Sequence, residues 1–148
     1  MTDRKTTMTP AATTVSLTRL YVLRAMYLFV AGGLAFAIWP AIISHTPGWP
    51  LMNGVVACLL GAVSLGAALG LRYPLQMLPV LLFELVWKLL WLGAVALPLW
   101  AGGQMDARTM QTVWECLLGV ALLPLVVPWG YVVDRYVRQP GDRWGRAA

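Results

Sequence analysis

Charge is what this sequence has least of. Asp, Glu, Lys and Arg make up 11% of its 148 residues, against about 25% in ordinary globular domains. Histidine occurs once and cysteine twice. One imidazole cannot build a tetrahedral zinc site or a bis-histidine haem site, and two cysteines outside a CxxC make no disulfide scaffold. Phosphate loops, dinucleotide fingerprints, Gly-x-Ser-x-Gly and zinc-protease motifs are missing too. These absences argue against a recognisable enzyme, a metal or another cofactor. The basic residues form no run of the kind that tracks a phosphate backbone, so nucleic acid is not an expected partner.

What fills the chain instead is apolar: 59% of residues are hydrophobic and the mean hydropathy is +0.70. A soluble protein of 16.2 kDa could not hide that much apolar surface. The residues fall into four long runs: Leu20 to Trp39, Leu51 to Leu71, Leu75 to Trp100 and Met110 to Val133. Each meets the roughly 20 residues that a helix needs to cross hydrocarbon with its backbone bonds satisfied internally. Breakers separate them: Pro40 to Pro50, Arg72-Tyr73-Pro74, and Ala101 to Thr109 with Gly102-Gly103. Short connections make consecutive helices antiparallel neighbours. The expected fold is all-α, an integral membrane protein built as an up-down bundle of four transmembrane helices. On this division residues 1–18 form a flexible cytoplasmic arm, 19–134 the transmembrane domain and 135–148 a basic cytoplasmic tail.

The few charges give the orientation. Arg4, Lys5, Arg19, Arg24, Arg72, Arg135, Arg138, Arg143 and Arg146 fall on one side if both termini share it, and only Arg108 falls on the other. Such an asymmetry predicts that both termini are cytoplasmic, in a bacterial inner membrane. Arg4 and Lys5 with Ala35-Phe36-Ala37 also suggest a cleaved signal peptide, but the run between is long, carries Arg24 and starts far from the N-terminus. Tryptophans agree with the bundle: Trp39, Trp49, Trp100 and Trp114 mark the outer interface, Trp129 and Trp144 the inner one. Trp144 between Arg143 and Arg146 suits an anchor on anionic lipid.

Within helix 2, Gly54, Cys58, Ala62, Gly66 and Gly70 recur every fourth residue. Small residues at this spacing let backbones approach, against another helix of the chain or against a second copy. Pro124 and Pro128 predict a kink in helix 4.

An ionisable group inside hydrocarbon costs roughly 3 kcal/mol and asks for a partner or a task. Helix 3 holds two, Glu84 and Lys88, about 40° apart on the helix, with Trp87 and Trp91 beside them. Glu before Lys at i,i+4 is the favourable order for an ion pair. Arg24 at the level of Glu84, and Glu115 above Lys88, extend these into an oblique chain Arg24–Glu84–Lys88–Glu115. Cys58 and Cys116 lie at similar depth and could adjoin, as a redox or Cu(I) site with Met52, Met105, Met110 and His45 nearby, or as two small packing residues.

A carboxylate beside tryptophans in a four-helix plan resembles the small multidrug-resistance transporters in its parts. Those carry the acid in helix 1, where this chain has Arg24, and here Lys88 neutralises it. Size and helix plan are also similar to those of DoxX-like proteins, without a shared residue motif. Two functions follow. In the first the chain is a non-enzymatic membrane module, interacting with lipids, itself or another membrane protein, with the Glu84/Lys88 pair inside. In the second it transports a small ion or molecule along the polar stripe of helix 3.

Overall fold

The computed structural model describes residues 15–44 and 49–140. Most of the N-terminal arm, His45 and the tail with Arg143, Trp144 and Arg146 lie outside the described residues. The described chain is all-helical. Helix α1 is Leu17–Ile43, α2 Leu51–Arg72, α3 Leu78–Ala101 and α4 Ala107–Val126. All four are long and apolar enough to cross a membrane. A short α5, Trp129–Val133, follows and runs into a π-helical turn, Asp134–Arg138.

Local chemistry sets where the helices begin and end. Ser16 caps α1 by accepting the Arg19 N–H at 3.4 Å. The helix runs past Trp39 and through Pro40, and Ser44 closes it: its N–H and its hydroxyl both donate to the Pro40 carbonyl, at 3.0 and 2.6 Å. Helix α3 starts at Leu78 rather than Leu75, because the chain first turns over 74–77 and Pro79 then takes a first-turn position, where a missing donor is harmless. Near its other end α3 widens into a π-helical turn at Leu92–Ala96. Pro98 cannot donate to the carbonyl four residues back and crowds it, and the wider turn just before the proline absorbs that misfit. Gly102-Gly103 stop the helix with Gly103 at φ 65°, while Gln104 N–H reaches back to Leu99 O at 2.9 Å. This is the glycine stop that left-handed φ makes possible. Asp106 then caps α4 by accepting the Thr109 N–H at 2.8 Å, and hydrogen bonding from the Thr109 side chain, then from its backbone, holds the carboxyl below the usual carboxylate range.

The fourth expected span is broken, not merely bent. Helix α4 ends at Val126, and Val127 is extended (ψ 126°) as a residue before proline must be. Pro128 leaves the Pro124 carbonyl without its helical donor. The Trp129 indole fills the place, donating to Pro124 O at 2.8 Å.

The helices pack as two hairpins. Helix α1 lies along α2 and α3 along α4, with sparser contact between α1 and α4 and between α2 and α3. Arg19, Arg72, Arg135 and Arg138 share one end of this bundle; Trp39, Trp49, Trp100 and Trp114 lie toward the other. The core is densest toward the arginine end, where Leu23, Tyr27 and Val30 of α1 meet Ala67 of α2, Leu78, Leu81 and Leu85 of α3, and Leu123 of α4. Tyr27 is wholly buried, and its hydroxyl donates to Pro74 O at 2.9 Å. Toward the tryptophan end Trp39 donates to Ser64 Oγ at 2.9 Å, and Ser64 donates to Gly61 O at 2.8 Å. Outward the bundle shows bare apolar side chains, such as Phe36 at 89% and Leu125 at 81% exposure, a surface that suits lipid and not water.

Helix α2 packs on a different row from the one its fourfold spacing suggests. Gly70 is buried and Gly54 and Gly66 half-buried, but Cys58 and Ala62 face outward. An α-helix gains about 40° with every four residues, so a long i+4 series winds away from any one neighbour. The buried row is Ala57, Gly61, Ser64, Ala67 and Gly70. Gly61 meets Ile42 of α1, Gly70 meets the Tyr27 ring and Gly66 turns toward Val80 of α3.

Candidate functional site

Glu84 and Lys88 form a salt bridge through Glu84 Oε2, one turn apart on α3. The Glu84 side chain is 3% exposed and that of Lys88 14%, so both charges are withdrawn from the bundle surface. The Lys88 stem crosses to α4 at Gly119, where a Cβ would stand 2.7 Å from Lys88 Cε. A Cβ there would make the lysine stem shift. The ammonium also lies 4.1 Å from the centre of the Trp87 ring, within cation–π range. A carboxylate on one side and an indole face on the other replace the water that the ammonium gives up.

This pair forms one wall of a half-open cavity of about 360 Å³ between α1, α3 and α4. Its polar lining is Glu84, Trp87, Lys88, Thr112, Glu115 and Cys116, and most of the rest is apolar, from Met26 and Phe29 to Leu123. The volume sits at the small end of the range for small-molecule sites, roughly 300–1,000 Å³. Gly33 and Ala37 of α1 and Leu118 of α4 are exposed as well as cavity-lining. The mouth therefore lies on the flank of the bundle, at the sparsely packed seam of α1 and α4. In a membrane that flank faces lipid.

Of the residues singled out from the sequence, Glu84, Trp87, Lys88 and Glu115 converge on this cavity, while Arg24 and Trp91 do not line it. Arg24 makes no bridge to Glu84. Its Nε donates to Leu71 O at 3.2 Å, and its guanidinium lies 5.6 Å from the Tyr21 ring. The cause is the close pairing of α1 with α2: Arg24 meets the last carbonyls of α2, which lack helical donors and carry the negative end of the helix dipole. Glu115 stays exposed and accepts from Gln111 Nε2 at 3.0 Å. The oblique chain is thus three separate arrangements, with only its middle link closed. Cys58 is exposed on α2 and Cys116 buried in the cavity wall, both as free thiols. Among the described residues no three His, Cys, Asp or Glu side chains cluster to hold a metal.

Thr112, Cys116 and Gly119 are the site residues that helical spacing on α3 alone does not supply. They recur at four and three residues on α4, are small, and line the cavity together with Lys88. The signal was a run of small residues opposite a charged pair.

No protein-family model, curated protein or solved structure matches this chain. Function has to be argued from these side chains.

Proposed function

We propose that this small multi-pass membrane protein is a non-enzymatic binding module that takes a membrane-borne small molecule laterally, between α1 and α4, onto the Glu84–Lys88 pair. One observation carries the reading: a buried ion pair walls a cavity whose mouth is on the lipid-facing flank. Transport along α3 would need polar groups continuing from the pair toward both ends, and Arg24, the basic group expected level with Glu84, is engaged by Leu71 O instead. Lipids are the first partners of such a surface, with self-association or another membrane protein able to cover the same flank. The Lys/Arg asymmetry supports a bacterial inner-membrane location with both termini cytoplasmic. A reporter fused after Gln139 should be active only in its cytoplasmic form; an externally active one reverses the orientation.

Cys116 makes the lateral reading testable, because it is the thiol in the cavity wall. In Cys58→Ser protein held in lipid nanodiscs, a lipophilic maleimide should alkylate Cys116 at least ten times faster than a charged, membrane-impermeant maleimide. Faster reaction with the charged reagent would mean a water-filled path and favour transport.

A further inference from the structure

Two polar atoms in the cavity wall have nothing to bond. Glu84 Oε1 and Trp87 Nε1 are both buried without a hydrogen-bond partner, although the other carboxylate oxygen of Glu84 holds Lys88. Buried polar atoms without partners are few in folded proteins, and each calls for a physical account. These two belong to residues one turn apart on α3, and both residues line the same cavity. Their chemistry is complementary: an ionised carboxylate oxygen only accepts, and an indole N–H only donates.

A single group that answers both must donate and accept together. A hydroxyl does this through one oxygen. A protonated amine donates but cannot accept, and it would meet the Lys88 ammonium. A ketone accepts but cannot donate, and a carboxylate would be set against Glu84. A neutral group also leaves the Glu84–Lys88 balance undisturbed. The remaining wall, with Met26, Phe29, Val30 and Leu34, suits a hydrocarbon ring or chain.

We infer that the cavity binds a neutral lipophilic alcohol or phenol drawn from the bilayer, whose hydroxyl donates to Glu84 Oε1 and accepts from Trp87 Nε1. This rests on the lateral-binding reading above. Both atoms are shielded in this conformation, so the arriving hydroxyl turns the half-buried Trp87 indole to meet it.

The test uses four probes with one ring system: 2-naphthol, 2-(aminomethyl)naphthalene, 2-acetylnaphthalene and naphthalene. Each is added at matched membrane concentration to the Cys58→Ser protein in nanodiscs, and protection of Cys116 from the lipophilic maleimide is measured. Naphthol should protect at a concentration about tenfold or more below the other three, the size expected for two hydrogen bonds formed together. Trp87→Phe, which keeps an aromatic ring and removes the donor, should narrow naphthol's advantage over naphthalene about threefold, because the bond to Glu84 Oε1 remains. The ranking on the tryptophan-bearing protein stands even if that variant folds poorly. Equal protection by all four probes, or best protection by the amine or the ketone, overturns the hydroxyl assignment while leaving lateral binding intact. Protection by none of them, in a protein whose Cys116 still reacts, overturns lateral binding itself.

Discussion

Glu84→Leu on its own should lower the stability of the bundle by about 3–5 kcal/mol, the cost of leaving a buried charge without its partner. Lys88→Met alone should do the same from the other side, since Glu84, at 3% exposure, would lose the counter-charge it is paired with. Glu84→Leu combined with Lys88→Met should recover most of the loss. Neither desolvation cost then remains, and both replacements fill similar volume. Thermal unfolding of the four proteins in one detergent measures the cycle without any assay of function. Single variants as stable as the parent would mean that the two groups do not satisfy each other. The cycle also separates stability from activity: on the binding reading the double variant folds but no longer prefers a hydroxyl probe.

The second large effect should come from Gly70. A Cβ there would overlap the Tyr27 ring, and that ring is the wholly buried centre of the α1–α2 contact. Gly70→Ala should cost about 1–3 kcal/mol through overpacking, and more if the Tyr27 hydroxyl is pulled from Pro74 O. Ala62→Leu, two steps earlier in the same fourfold series but outward-facing in the fold, should stay within about 0.5 kcal/mol of the parent. Unfolding midpoints in sodium dodecyl sulfate titrations compare the two. A costly Ala62→Leu with a tolerated Gly70→Ala would place the packed row of α2 on the other side.

The bundle was legible in the sequence because bilayer thickness leaves few alternatives. A run of 20 apolar residues has to satisfy most of its backbone as helix, and short connections must reverse direction. The Glu84–Lys88 link was legible for a similar reason, since i,i+4 spacing is a local property of one helix. Relations between helices were harder to read. Helical depth placed Arg24 level with Glu84, but whether they meet depends on rotation about each axis, and the pairing of α1 with α2 gives Arg24 to Leu71 O. The same ambiguity put Cys58 and Ala62 on the expected packing row, where the true row follows mixed threes and fours. The two prolines announced a kink, but the full break at Val127-Pro128 and the Trp129 indole that caps Pro124 O depend on the path of the chain after them. The cavity itself could not be read from any one helix, because it is space left at a seam between α1 and α4.

Gly33 offers the most direct measurement of that seam. It lines the cavity, and a Cβ built there meets no atom within 4 Å, so Gly33→Leu can occupy the mouth without straining the packing. The quantity to measure is the rate at which the lipophilic maleimide alkylates Cys116 in nanodiscs, with Cys58→Ser as the background. Lateral entry predicts that Gly33→Leu slows alkylation about tenfold or more while the melting temperature stays within a few degrees. An unchanged rate in an equally stable protein would contradict it, for Cys116 would then be reached by a route that does not pass between α1 and α4.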